Sequence, residues 1–185
     1  MPWQTISKQI EAATGEPFKV VSTHPLSGGD INTAFLLKGD RKSYFIKLNK
    51  AELSLMFEAE LAGLQELANT QTIRVPVPIS CGQASEQAYL VMEYIFFGSK
   101  NKTSERLLGQ QLALMHRQQQ PYFGWHRQNT IGSILQSNIK SDEWLTFWRE
   151  QRLTFQLQLL AKKGYTGKLQ LDGERLSSEL PLLFT

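Results

Sequence analysis

The chain has 185 residues, enough for one or two small domains with a genuine core. Its 41% hydrophobic and 20% charged residues are those of a globular protein, which excludes a disordered or fibrous chain. The net charge is +3, with the basic residues scattered apart from Arg41-Lys42 and Lys162-Lys163, so no basic face for nucleic acid is expected.

No apolar run approaches the roughly 20 residues that span a bilayer, so no membrane association is expected. The opening residues, Met1-Pro2-Trp3-Gln4-Thr5, lack the basic-then-apolar layout of a secretory leader. A single cysteine, Cys81, excludes an internal disulfide, and His24, His116 and His126 have no partners at metal spacing. A cytoplasmic location is the expectation.

Along the chain, residues 18–23, 33–38 and 43–48 read as strands, the last two joined by a Gly39-Asp40 turn. Residues 51–68 read as an amphipathic helix. Val75-Pro76-Val77-Pro78 cannot be helical, and strands follow at 79–82 and 88–93. Residues 94–103 are a polar stretch with Gly98, a linker. Helical spacing resumes over 104–119 and 142–163, around a Gly-, Asn- and Ser-rich loop at 121–141. The expected class is α+β, divided into a β-rich lobe with one helix at 1–93, the linker, and a partial helical lobe at 104–185.

Three features suggest chemistry. Leu26-Ser27-Gly28-Gly29-Asp30-Ile31-Asn32 lies between two strands; its glycines suit either a plain hairpin turn or a backbone that approaches phosphate closely. Lys47 alternates with Ile46 and Leu48 on a strand, so it is either a solvated edge lysine or an ammonium that needs a partner. Glu60 supplies one: at about 100° per residue, Leu53, Met56, Phe57, Leu64 and Leu67 fall within about 60° of it, while Glu58 faces water. A strand lysine held by a helix glutamate below a glycine-rich turn is how kinases position ATP phosphates. Leu90-Val91-Met92-Glu93-Tyr94-Ile95 is then either a core strand or the hinge that reads adenine.

The chain resembles the fructosamine-3-kinase and ketosamine-3-kinase family, relatives of aminoglycoside and choline kinases. The widely shared matches are Leu26 to Asp30, Phe45-Ile46-Lys47, Phe57-Glu58-Ala59-Glu60, Val75 to Pro78 and Leu90 to Tyr94. Those particular to the ketosamine branch are Phe123-Gly124-Trp125, Asn129-Thr130-Ile131-Gly132-Ser133, Gln136, Asn138, Trp144 and Phe147 to Leu153. The resemblance implies a bilobal protein-kinase-like fold. It also implies ATP- and Mg²⁺-dependent phosphorylation of the sugar 3-hydroxyl of ketosamines, small or protein-linked. By the same likeness, Ser27, Gly28 and Gly29 would cover the phosphates, Lys47 and Glu60 would form the positioning pair, and Met92, Glu93 and Tyr94 would be the hinge.

A family member would continue past Leu183 into His-Gly-Asp-Leu-Trp, a Gly-Asn and a later Asp-Pro, which supply base and metal ligands. Here Phe184-Thr185 follows, so the chain is expected to contain no catalytic or Mg²⁺-binding residue and to be inactive as it stands. Two alternatives remain open: a non-catalytic nucleotide- or partner-binding module, and a sister phosphotransferase acting on another small hydroxyl compound.

Overall fold

The structure, a computed structural model, describes residues 2–29 and 31–184; Met1, Asp30 and Thr185 lie outside the described residues, so the reading of Asp30 in the glycine loop has no structural counterpart here. The chain divides into two compact units, Met1–Gln118 and Gln119–Thr185.

The first unit is built on one antiparallel sheet of order β1-β2-β3-β5-β4. Its strands are β1 (Val20–Leu26), β2 (Thr33–Gly39), β3 (Ser43–Lys50), β4 (Pro78–Ala84) and β5 (Gln87–Glu93). The expected strands are all present, with β1 displaced toward the glycine loop. β3 is central, and its alternation separates two cores, since successive strand side chains point to opposite faces. Tyr44, Ile46 and Leu48 enter one core with Leu37, Tyr89 and Val91. Phe45 packs on the opposite face with Ala88, Leu90 and Met92.

Each face is covered by a helix. The expected helix, α2, runs Ser54–Asn69 after a 3-10 turn at Ala51–Leu53. It lays Met56, Phe57, Leu61 and Leu64 against the Phe45 face. A second helix of this unit, α1 (Trp3–Thr14), was not read from the sequence. Its apolar residues Trp3, Ile6 and Ile10 recur at helical spacing, but they are few. Ile6 and Ile10 are fully buried in the other core, and Trp3 meets Phe35 edge-on at 5.1 Å. Gly15, left-handed at φ 71°, ends α1 and donates its N–H to Glu11 O at 2.8 Å. Ser7 Oγ donates to Phe18 O, and Glu11 Oε1 accepts from Phe18 N at 2.8 Å, so α1 is tied to the segment entering β1.

Helix α3 (Lys102–His116) starts at the Asn101 cap, whose side chain accepts from Ser104 N at 2.9 Å. It falls in the first unit, whereas the sequence reading placed it beyond the linker. None of its residues is buried, and His116 in its last turn is exposed.

The second unit contains a short hairpin, β6 (Asn129–Ile131) with β7 (Ile134–Gln136), inside the segment expected to be loop. The helix expected over 142–163 is α4 (Trp144–Trp148) and α5 (Phe155–Lys162), joined by a π-helical turn at Arg149–Thr154. A further helix, α6 (Lys168–Glu179), packs Gly173 against Leu157.

The π turn sets Gln151 and Arg152 against the loop before α4. Arg152 donates to Ser137 O at 2.5 Å and to Asn138 Oδ1 at 2.7 Å, with its guanidinium 4.6 Å over the Phe147 ring. Burial pushes its pKa below the usual arginine value. Asn138, itself buried, donates to Arg127 O at 3.0 Å and Asn129 Oδ1 at 2.8 Å. At Gly124, φ is 119° and an added Cβ would lie 2.9 Å from Asn138 O, so this close approach requires glycine.

Truncating Ile10 to Ala should lower unfolding stability by about 2–5 kcal/mol, whereas Leu55→Ala, at an exposed position of α2, should be near neutral; denaturant midpoints check both. Tyr89 provides a pH prediction. Burial, with the Cys81 thiol nearby, raises its phenol pKa, so the folded chain keeps a proton that the unfolded chain releases above about pH 10. Its contribution is therefore full below that pH and is lost as pH rises through the raised value. Alkaline unfolding of Tyr89→Phe should show a shallower decline.

Candidate functional site

The site starts from a register. Lys47 on β3 stands opposite Ala34 on β2 and Leu90 on β5, so it occupies a central strand and not an edge. Alternation puts it on the α2 face, two residues from Phe45. An ammonium there has buried apolar neighbours and needs an acceptor. Glu60 on α2 provides it: Lys47 Nζ lies 2.5 Å from Glu60 Oε1.

The side chains retain 27% and 30% exposure, so the pair is partly open to solvent and is not sealed in the core. Glu58, expected to face water, is half-buried. Leu53 and Leu67 are also half-buried and contribute less to the apolar stripe than Phe57, which is fully buried.

Lys47 forms one wall of a cleft of about 170 Å³, with Gly28, Gly29, Ile31, Asn32, Ala34 and Phe45 around it. Gly28 and Gly29 have φ of 117° and 126°, a backbone that side chains rarely adopt. A Cβ added at Gly28 would meet nothing within 4 Å, so the space above the loop is open to a ligand. Ser27 is exposed at the start of this loop. Ile31 and Asn32 belong to the glycine segment picked out in the sequence, whereas Ala34 was not singled out as part of the wall. Strand pairing reveals Ala34, because it stands opposite Lys47.

Met92 stands opposite Phe45 and is buried on the α2 face. Glu93 is held by Arg74, Nη2 to Oε1 at 2.5 Å, and its backbone N–H donates to Val77 O at 2.8 Å. Tyr94 meets Phe96 edge-on at 4.9 Å. Ser27, Gly28, Gly29, Lys47, Glu60, Met92, Glu93 and Tyr94 all belong to the first unit.

The cleft can hold an anion, with a fixed ammonium on one side and a glycine backbone on the other. It does not fit a divalent metal: its described lining has no carboxylate, and the described residues contain no group of three or more His, Cys, Asp or Glu placed to hold an ion.

A family model described as fructosamine kinase matches residues 2–184. A probable ketoamine kinase of Synechocystis is 44% identical over 164 residues, covering 88% of this chain and 56% of that protein. The chloroplastic protein-ribulosamine 3-kinase of Oryza sativa subsp. japonica is 34% identical over 173 residues, covering 92% of this chain and 50% of that protein. The chain thus spans about half the length of these curated relatives. The crystal structure of a candidate fructosamine-3-kinase from Haemophilus somnus aligns with a TM-score of 0.86 at 25% identity, covering 97% of this chain and 61% of that one. One from Thermobifida fusca, at 23% identity and a TM-score of 0.74, covers 97% and 62% and has the same fold. The α+β architecture expected from the sequence is present, and it is protein-kinase-like.

Because the Lys47–Glu60 pair is partly solvated, its removal should change stability little. Glu60→Gln is expected to shift unfolding by no more than about 1 kcal/mol, and a larger loss in denaturant titration would make the pair a structural brace.

Proposed function

Because the chain belongs to the fructosamine kinase family, we propose that its first unit holds ATP for phosphoryl transfer to the sugar 3-hydroxyl of a ketosamine, small or protein-linked. The observation that carries this reading is the Lys47–Glu60 contact beside an open two-glycine loop. The carboxylate fixes the ammonium in one direction, and the ammonium offers its remaining protons to phosphate oxygens, as the strand lysine of kinases does. Gly28 and Gly29, with Ser27 at the entry, cover the phosphates and offer backbone N–H groups without a Cβ in the way. Met92 and Phe45 form an apolar floor for the base. With the Glu93 N–H occupied by Val77, the Glu93 carbonyl and the Tyr94 backbone are left to read the adenine edge.

Transfer also needs a group to receive the hydroxyl proton and ligands for Mg²⁺. Among the described residues, Glu60 is the carboxylate paired with the cleft's lysine and it is already engaged, so this polypeptide by itself is proposed to bind nucleotide without transferring phosphate. The cytoplasm remains the proposed location on composition; no helix among the described residues is long and apolar enough to cross a membrane, and the rice relative is chloroplastic.

Calorimetric titration of the 185-residue chain with ATP tests the reading. Saturable binding is expected, weakened about tenfold or more by Lys47→Ala, the scale of one charge-assisted hydrogen bond. Indifference to Lys47→Ala would sink the nucleotide site. Incubation with ATP and fructoselysine, ribuloselysine or choline should release no ADP. Release would overturn the binding-only proposal, and the substrate that produced it would separate a ketosamine kinase from a sister phosphotransferase.

A further inference from the structure

The segment containing Gly28 and Gly29 is fastened to β3 by a side chain outside the cleft's own lining, that of Asn49. Asn49 Nδ2 donates to Ile31 O at 2.8 Å and to Asn32 Oδ1 at 2.7 Å. Asn49 Oδ1 accepts from Lys50 N at 2.8 Å. An amide NH₂ facing two oxygens while its carbonyl faces an N–H has one sensible orientation.

The position of this residue matters. The backbone ladder between β2 and β3 ends at Thr33 opposite Leu48. Asn49 is the next residue, and its side chain continues the connection onto the loop where the ladder stops. It lies two residues beyond Lys47, on the same face of the strand. Ile31 and Asn32, which it grips, line the cleft together with Gly28, Gly29 and Lys47.

We propose that Asn49 is a positioning residue that latches the glycine loop at a fixed height above Lys47, with Asn32 as its counterpart. The inference rests on the nucleotide reading of this cleft. Two consecutive glycines give the loop more conformational freedom than any other pair of residues. A ligand that had to order the loop would bind more weakly, so a latch that orders it beforehand raises affinity for whatever the loop covers. Asn49 lies outside the cleft's lining and acts through Ile31 and Asn32, which it holds. Its effect therefore belongs to the phosphates and not to the base.

That separation supplies the test. ATP and adenosine are titrated calorimetrically into the 185-residue chain and into Asn49→Ala, Asn49→Asp, Asn32→Ala and Lys47→Ala. Asn49→Ala should bind ATP about tenfold more weakly, the scale of the lost hydrogen bonds, and adenosine as before. Asn49→Asp should be weaker still for ATP, because a carboxylate cannot donate to Ile31 O or Asn32 Oδ1 and adds negative charge beside the phosphates. Asn32→Ala keeps the bond to Ile31 O and should fall between Asn49→Ala and the unchanged chain; it reports on the latch even if the Asn49 variants fold poorly. Equal losses for ATP and adenosine would make Asn49 merely structural and overturn the proposal. Unchanged ATP binding in Asn49→Ala, alongside weakened binding in Lys47→Ala, would overturn the latch and leave the nucleotide site standing. A chain that binds no ATP would overturn both.

Discussion

Everything around the candidate site follows from placing an ammonium on the middle strand of a five-stranded sheet. Lys47 cannot turn to solvent at an edge, because β2 and β5 flank it. Its strand neighbours Ile46 and Leu48 are committed to the opposite core. The next helix along the chain must therefore bring a carboxylate to it, and Glu60 does so at 2.5 Å. The contact is half-solvated, which makes it a weak contributor to folding and a good device for aiming charge. Its orientation would be lost if α2 slid by one turn, so the apolar packing of Phe57 and Leu64 governs the electrostatics.

The second unit solves a similar problem differently. Arg152 is a cation held by neutral acceptors, the Ser137 carbonyl and the Asn138 amide, above the Phe147 ring. Such a group is stable only when its geometry is filled, because each donor left without an acceptor in a buried setting is costly. The π turn at 149–154 supplies that geometry by setting Gln151 and Arg152 on the same loop, where Gln151 Oε1 accepts from Ser137 Oγ at 2.5 Å. The result ties the hairpin region to the helix that follows, within this unit, through side chains as well as backbone.

Much of the first unit was legible before any coordinates. Period-two alternation at 43–48 identified β3 and both of its faces, and helical spacing from Leu53 to Leu67 put Glu60 among apolar residues. Those two patterns were enough to pair Lys47 with Glu60. The motif likeness to fructosamine kinases is borne out by a match over residues 2–184. Legibility ended where contacts are distant or unusual. Trp3, Ile6 and Ile10 form a helix because they find a sheet face to cover, and three apolar residues alone do not announce that. The π turn inserts an extra residue into a stripe that looks uniformly helical in sequence. The lobe boundary expected at 94–103 and the division observed after Gln118 differ because α3 has no buried residue, so nothing in its own packing declares where it belongs.

The family was legible through motif likeness; by itself, then, the sequence determined the class of fold, the strands and principal helix of the sheet unit, and the Lys47–Glu60 ion pair. These are set by short-range periodicity and by residue types at fixed spacing, which are properties of the chain alone. Tertiary structure decided that Lys47 is central and not at an edge, that Ala34 and Asn32 share its cleft, and that Asn49 closes the glycine loop from beyond the ladder. Those relations depend on strand order and on side chains meeting across 17 or 18 residues of chain, and no local pattern encodes which strand will lie beside which.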